Sequence, residues 1–497
     1  MRSVSVLLPV FLTFSTPSRF SPASLTSVAV AVHPVAVQGQ DFIDTVTKKR
    51  FMIVGVDYQP GGQAGYKPQE GSDPLTNKSV CLRDAIMLQK LGANTIRVYN
   101  VDPSLNHDDC ASIFNAAGIY MIIDVNSPQQ SIDRYGPWTS YHKEYLNRIF
   151  GVVENFKGYP NTLAFFSANE VMNDLDTGKV NPQYIRAVQR DLKAYIKEHS
   201  DREIPVGYSA ADVREILQDT WAYMQCNNEN DGSNSDFFGL NSYSWCGGDA
   251  TYESAQYNTL VDMFENSSVP VFFSEYGCNA VMPRVFDEVQ ALYSDKMTSL
   301  SGGLVYEYSQ EESDYGLAEI QEDGTVKLRP DYDNLQKQFN KLDMAKIQAT
   351  KPSATAIKPP KCNKKLITND AFDTNFTIPA VCPGCDTLIK NGIANPHKGK
   401  LVKVTETKAP KKVYGSAGGE VEGLVLKLLS NDGANKPSGE TTSPKATTTA
   451  AQAGTSGTPV AAEGDASETA KPTGAASKLA GGWTLLATAI VAVLTAL

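Results

Sequence analysis

Residues 161–174 read NTLAFFSANEVMND. A short apolar run, Leu163-Ala164-Phe165-Phe166, halts at Ser167-Ala168-Asn169-Glu170. Its length and its bounding turn residues are those of a buried strand. Fully buried glutamate is rare without a partner. Asn169-Glu170 therefore reads as a site at a strand end. Residues 269–277, VPVFFSEYG, repeat the pattern, with Glu275 where the apolar run stops. Two such carboxylates about a hundred residues apart suit a parallel α/β barrel, in which catalytic groups come from the C-terminal ends of different strands. Paired carboxyls are also the equipment of glycoside chemistry, about 5–5.5 Å apart in retaining enzymes. The bland alternative is two glutamates in unrelated ion pairs.

Outward from these stretches the chain alternates. Strand candidates are 52–58, 95–101, 120–125, the Glu170 run, 204–208, 237–243, the Glu275 run and 303–308. Helix candidates follow each but the last: 81–91, 108–117, 141–156, 182–199, 213–224, 259–265 and 284–300. Strands alternating with helices predict a parallel sheet. Eight of them over about 260 residues predict a (β/α)8 TIM barrel across 41–345. The competing open, doubly wound sheet lacks a glycine-rich phosphate loop here. Glu170 then ends strand four and Glu275 ends strand seven.

The barrel chemistry follows from these positions. Glu170 fits a general acid/base, which must carry a proton to help the leaving sugar oxygen depart. Asn169 can hold a sugar hydroxyl. Glu275 fits a nucleophile, ionised and able to form a glycosyl-enzyme. Other polar or aromatic strand ends are Gln59, Arg97, Tyr99, Asp124, Tyr243 and Tyr306. Arg97 can keep a carboxylate ionised by its charge. Tyrosines at a barrel mouth suit sugar rings, although any single one can equally be a core aromatic with a bonded hydroxyl.

The 497 residues allow one large domain plus appendages. A net charge of −10 and a pI near 5.2 argue against nucleic acid and anionic membrane surfaces, and fit a neutral substrate. Five scattered histidines, with no HExxH and no zinc-type spacing, predict no metal and no cofactor. No P-loop or GxSxG elbow is present.

Both ends carry targeting signals. Arg2 followed by an apolar stretch resembles a secretory leader, assigned to 1–39. Residues 346–430 form a small extension. Residues 431–474 are mostly Ser, Thr, Ala, Gly and Pro, the composition of a disordered stalk. The apolar tail Trp483–Leu497 is short for a membrane span, and small residues lie upstream at Gly474-Ala475-Ala476-Ser477. That grammar is a glycosylphosphatidylinositol (GPI) attachment signal with Gly474 as acceptor and 475–497 removed; Gly464 to Ser467 are alternative sites and a tail-anchored helix is the competing reading. The expected location is the outer face of the plasma membrane, the cell wall, or both. Secretion predicts disulfides among the eight cysteines, with open pairing. Cys382-Pro383-Gly384-Cys385 reads as a local disulfide or structural pair rather than a redox site. Sequons at Asn77, Asn266 and Asn375 agree with secretion.

The chain resembles the fungal β-1,3-glucanosyltransferases of glycoside hydrolase family 72, the glycolipid-anchored surface proteins. The motifs are GVDYQPGG (55–62), NTIRVYNVDP (94–103), FFSANEV (165–171), IPVGYSAAD (204–212), FFGLNSYSWCG (237–247), VPVFFSEYGCN (269–279) and GGLVYEYSQE (302–311). The resemblance implies a retaining transglycosylase. It would cut inside a β-1,3-glucan chain and join the retained part to the non-reducing end of another chain. Donor and acceptor glucans are then the partners, with the membrane reached through the lipid anchor, no nucleic acid, and a monomeric enzyme. Asn169-Glu170 match the acid/base pair and Glu275 the nucleophile. Tyr99 and Tyr306 match donor-side aromatic positions, Tyr243 another active-site tyrosine, and Gln59 is taken as a further substrate-binding residue. Asp212 and Arg214 match acceptor-side residues. The implied disulfides are Cys81–Cys110, Cys226–Cys362 and Cys246–Cys278. Many relatives add a cysteine-rich carbohydrate-binding module. Only Cys382 and Cys385 remain here, as in the shorter subgroup. The competing functions are a plain β-glucan hydrolase on the same carboxylates and a non-catalytic wall-anchored binding protein.

Overall fold

Eight apolar, β-branched or aromatic runs become eight parallel strands in a computed structural model of the chain. The structure describes residues 32–443 except 230, 350, 351 and 430–432. Barrel strands one to eight are Ile53–Asp57, Thr95–Val98, Tyr120–Asp124, Thr162–Asn169, Val206–Ala211, Phe238–Asn241, Val271–Tyr276 and Leu300–Val305. Each pairs with its neighbours in chain order, and strand eight closes on strand one through Gly302↔Ile53 to Val305↔Val56. The chain forms a (β/α)8 barrel.

Alternation along each strand divides the residues between two cores. On strand one, Val54 and Val56 face the helices and join a large cluster with Leu82, Ile86 and Leu335. Ile53 faces the barrel interior with Ile122, Phe166, Phe272 and Leu304. The lower end of that interior is plugged by an antiparallel sheet of Val35–Gln38, Asp41–Asp44 and Arg50–Phe51. Phe42 lies 5.9 Å from the Phe237 and Phe272 rings, and Phe51 lies 4.8 Å from Tyr120. The folded chain thus starts upstream of residue 40, inside the stretch whose composition resembles a leader.

Four helices differ from the periodicity reading. The 284–300 segment breaks into Glu288–Leu292 and a turn at Asp295–Met297, because Ser294 caps a new start by accepting from Lys296 N. The 213–224 and 259–265 segments shift to Leu217–Gln225 and Tyr257–Phe264. An eighth helix, Pro330–Phe339, was not foreseen; it follows a hairpin of Ala318–Ile320 and Val326–Leu328. Strand eight begins three residues earlier than expected. Gly302 and Gly303 look like a turn but sit inside the strand, where a Cβ on Gly302 would come within 2.1 Å of Ile53 O.

The C-terminal extension runs as a belt around the outer helices in reverse order. Lys361 bridges to Asn227 beside Cys226–Cys362. Asp219 then accepts from Thr368 N and Asn369 N, and Phe376 stacks on Tyr223 at 4.6 Å. His199 meets Ile389 O, Lys400 N donates to Asp108, and Val402 N donates to Ser112. Val413–Tyr414 adds a strand beside Val326–Leu328. Asn435 and Thr442, in the stretch expected to be stalk, are buried: Asn435 donates to Gln89 O and Ala93 O, and Thr442 bonds Gln336. The remaining stalk, Gly474 and the apolar tail lie outside the described residues. Among the described residues no helix is long and apolar enough to cross a membrane.

The disulfides are Cys81–Cys110, Cys226–Cys362, Cys246–Cys278 and Cys382–Cys385. The first three span 29, 136 and 32 residues. Closing such loops removes unfolded-state entropy worth about 3.5–5 kcal/mol each in the chain-entropy account. Cys382–Cys385 closes only a local turn at the start of helix Cys385–Asn391.

Candidate active site

Strict alternation would not place the two glutamates as they are found. Pairing of strands four and five shifts register between Phe166 and Asn169, and pairing of strands six and seven shifts between Phe273 and Glu275. A bulge adds a residue and re-aims the side chains after it. Consecutive residues therefore reach one site: Asn169 with Glu170, and Ser274 with Glu275. Glu170 also takes a left-handed backbone, φ 48°, which an L-residue adopts at some cost. Its N–H is tied to Ser209 O at 2.8 Å, and its carbonyl accepts from Arg134 Nη2 at 2.7 Å.

At the end of strand two, Arg97 is fully buried and uses all five of its donors. Nε and Nη2 bind Asp124 Oδ1 and Oδ2 at 3.0 and 2.9 Å. Nη2 also reaches Asn169 Oδ1 at 2.9 Å, while Nη1 reaches Ser274 O at 3.2 Å and Glu275 Oε1 at 3.3 Å. The bidentate pair with Asp124 fixes the guanidinium plane. Glu275 accepts twice more, from Tyr99 OH at 2.9 Å on Oε1 and from Tyr243 OH at 2.7 Å on Oε2. Burial pushes the Glu275 carboxyl up to about 7; Arg97 pulls it back, the Glu170 charge raises it, and the two phenols pull it back again.

Glu170 has a different neighbour. Asn241, at the end of strand six, donates its amide to Glu170 Oε1 at 2.9 Å and to Asn169 Oδ1 at 3.1 Å. The Ser209 and Ser274 hydroxyls donate to Asn241 Oδ1 at 3.1 and 2.8 Å, so the amide can point only one way. The sequence reading missed Asn241. Its signal was the polar residue ending FFGLN, which stands where Glu170 and Glu275 stand on their strands.

Other expected site residues fall around this centre. Tyr306 is 6.3 Å, ring to ring, from both Tyr99 and Tyr243. Tyr315, which the reading did not pick out, lies 5.3 Å from Tyr306. Asp212 accepts from Ser242 Oγ at 2.7 Å and from Arg214 Nη2 at 3.0 Å, at the ends of strands five and six. Gln59 is buried and accepts from Asn100 N at 3.3 Å. Two further acids were missed. Asp57, facing Arg97 across the strand pair, is fully buried with neither carboxyl oxygen bonded. Burial pushes it well above the usual carboxylate range. Glu307 is pushed to about 8 by burial, with the Glu311 and Glu275 charges adding. Both acids stand close to the two strand-end glutamates, and burial favours their protonated forms. Among the described residues no group of His, Cys, Asp and Glu could hold a metal ion.

The site thus holds two carboxyls, one stabilised by a cation and two phenols and the other held by a neutral amide. A model of the glucanosyltransferases of glycoside hydrolase family 72 matches residues 24–343. The chain belongs to that family. Among its relatives, 1,3-beta-glucanosyltransferase gel2 of Aspergillus fumigatus is 53% identical over 417 residues, 83% of this chain and 87% of that protein. The Saccharomyces cerevisiae 1,3-beta-glucanosyltransferase GAS4 is 42% identical over 76% of this chain and 79% of its own length. Among solved structures, a mutant of Saccharomyces cerevisiae Gas2 in complex with laminaritetraose and laminaripentaose superposes with a TM-score of 0.62 at 35% identity, covering 71% of this chain and 76% of that one.

The expected sequon asparagines Asn77, Asn266 and Asn375 are all exposed. Asn77 caps helix Lys78–Leu91 through its Oδ1, which leaves its Nδ2 free for a glycan.

Proposed function

We propose that this family 72 protein is a retaining β-1,3-glucanosyltransferase that cuts a β-1,3-glucan internally and joins the retained part to the non-reducing end of another chain. The observation that carries the reading is the unlike treatment of two strand-end carboxyls. Glu275, the nucleophile, has its ionised form favoured by Arg97, Tyr99 and Tyr243 against the burial that raises it. It attacks the anomeric carbon, and the C–O bond to the departing chain breaks as the glycosyl-enzyme forms. Glu170 delivers the proton to the departing oxygen, then removes one from the incoming acceptor hydroxyl. Asn241 orients Glu170 for both transfers. Transfer to sugar instead of water requires an acceptor seat, assigned here to Asp212 and Arg214, which pair with each other. Gln59, Tyr99, Asn169, Tyr243 and Tyr306 bind the substrate, with Tyr99 and Tyr306 on the donor side.

The same reading extends to the ends of the chain. A leader upstream of the first sheet directs secretion, and the C-terminal signal attaches a GPI lipid near Gly474. The mature enzyme acts as a glycosylated monomer at the outer face of the plasma membrane and in the wall. Four disulfides and three exposed sequons support an extracellular site of action.

Incubation of the purified protein with a reduced β-1,3-gluco-oligosaccharide tests the activity. Products longer than the input are expected. Shorter products alone would mean hydrolysis, and an intact protein giving no products would favour a binding role. Phospholipase release from cells tests the anchor; protein that stays bound overturns it.

A further inference from the structure

Most large apolar side chains among the described residues are buried, and the exposed ones are mainly aliphatic. Two aromatic side chains depart from that: Tyr135 is 68% exposed and Trp138 is 58% exposed. They stand three residues apart on the segment that follows strand three, at the C-terminal rim of the barrel. Single exposed apolar residues are ordinary on a protein surface. A tyrosine and a tryptophan held together on one turn are not, because each forfeits a large burial energy.

The turn is held rigidly. Asp133 Oδ1 accepts from Tyr135 N and Gly136 N at 2.8 and 2.9 Å, and Ser140 Oγ accepts from Asp133 N at 2.8 Å. Pro137 opens the helical turn that carries Trp138. The segment is also tied to the reaction centre: Arg134, beside Tyr135, donates to the Glu170 backbone carbonyl at 2.7 Å. Asn181 Nδ2 in turn donates to Arg134 O at 2.6 Å. Rings carried on this turn therefore keep a set position relative to Glu170.

We infer that Tyr135 and Trp138 form a stacking platform for leaving-side sugars of the glucan, one or more residues beyond the bond that is cut. This rests on the transferase reading above. The occupant is a neutral sugar chain. Its rings present flat C–H faces that cover an aromatic face, and the turn that carries Tyr135 and Trp138 is bonded to Glu170, where that chain departs on the transferase reading. The platform would raise the residence of the acceptor chain and so favour sugar over water at the glycosyl-enzyme.

The test compares the full-length wild-type protein with Trp138→Ala, Trp138→Phe and Tyr135→Ala. Labelled β-1,3-gluco-oligosaccharide acceptors of increasing length are used. At a fixed acceptor concentration, Trp138→Ala should lower the ratio of transfer to hydrolysis by about threefold to tenfold, the size of one lost aromatic contact. A higher acceptor concentration should restore the ratio. Trp138→Phe should keep most of it, and the wild-type gain in affinity at the acceptor length that reaches the platform should vanish in Trp138→Ala. An unchanged ratio and acceptor KM would overturn the inference. A second measurement is independent of transfer. In a Glu275→Gln background, added oligosaccharide should change tryptophan fluorescence, and Trp138→Phe should abolish that change. If wild type makes no longer products but this signal is present, the transfer reading fails and the platform stands. If the signal is absent, the platform fails.

Discussion

Strands four and seven end alike in sequence and unlike in space. At the end of strand seven, Glu275 meets a guanidinium and two phenolic hydroxyls. At the end of strand four, Glu170 meets the amide of Asn241, on a left-handed backbone pinned by Ser209 and Arg134. On the reading proposed above, one environment supports a charge that attacks carbon, and the other orients a group that passes a proton back and forth. What separates nucleophile from acid/base is thus the neighbour each strand end was given, not the residue.

The largest expected effect breaks the comparison outright. Glu275→Gln should lower kcat by roughly 10⁴-fold or more, because no other group can form the glycosyl-enzyme. Glu170→Gln should cost roughly 10²–10⁴-fold, the usual worth of general acid/base catalysis. A β-glucoside with a weakly basic aryl leaving group separates them, since it departs without a proton. Burst kinetics should show the first step rescued in Glu170→Gln and absent in Glu275→Gln. Rescue of both, or of neither, would mean the roles are not divided this way.

Glu275 also makes a stability prediction. Burial raises its carboxyl from 4.5 to about 7, so the native state holds that proton more tightly than the unfolded chain. The stability this contributes is complete below pH 4.5 and is lost as pH rises through about 7. Glu275→Gln removes that dependence. Calorimetry should find the variant melting above wild type beyond pH 7, and the advantage shrinking toward pH 4.5. A variant that melts lower across the whole range would show that the charge contributes more through Arg97 than burial costs it.

A smaller effect tests what links the two ends. Asn241→Ala leaves Glu170 without its amide donor and frees Asn169 from one of its two holds. A hydrogen bond to a charged group is worth about 1.5–3 kcal/mol, so kcat/KM should fall roughly 10- to 100-fold. The aryl substrate should again recover part of the loss.

Much of this was visible in the chain. The eight strands show as runs of Val, Ile and Phe, because burial on both faces demands them. The glutamates show because a carboxylate ends such a run. The register shifts at Asn169 and Glu275 do not show, since a bulge has no residue signature here. Neither do Asn241, Ser209 and Asp57, which are ordinary residues made special by what converges on them. The belt was the hardest to see. It has little periodic structure, and its contacts are backbone bonds to distant helices, such as Thr368 N to Asp219 and Leu429 N to Ala116. Its tail at Asn435 and Thr442 has the composition of a linker and the burial of a core.

Tyr99 and Tyr243 sharpen the strand-seven side. Each donates to the ionised form of Glu275, so removing either hydroxyl should raise that carboxyl further. The acid limb of kcat/KM should then move to higher pH, by about one unit for a loss near 1.5 kcal/mol. Tyr243→Phe should move it at least as far as Tyr99→Phe, since among the described residues its 2.7 Å bond is the one hydrogen bond to Oε2, whereas Oε1 keeps Arg97. A limb that stayed in place would mean the phenols serve the sugar and not the carboxylate.

The smallest effect lies on the strand-four side, at Ser209. Its hydroxyl donates to Asn241 Oδ1 at 3.1 Å and lies 2.9 Å from Ser274 Oγ. Ser209→Ala leaves Ser274 still donating to that oxygen at 2.8 Å, so the amide keeps its direction but loses one of two restraints. A neutral hydrogen bond of about 0.5–1.5 kcal/mol predicts a fall in kcat of roughly twofold to tenfold. The acid limb set by Glu275 should not move, because no donor to that carboxyl has changed. Ser274→Ala in the same background should bring the loss close to that of Asn241→Ala, since the amide is then free to turn its oxygen toward Glu170. If the double variant stayed as active as the single ones, the serines would not be what aims Asn241, and the two strand ends would be less separately built than their hydrogen bonds indicate.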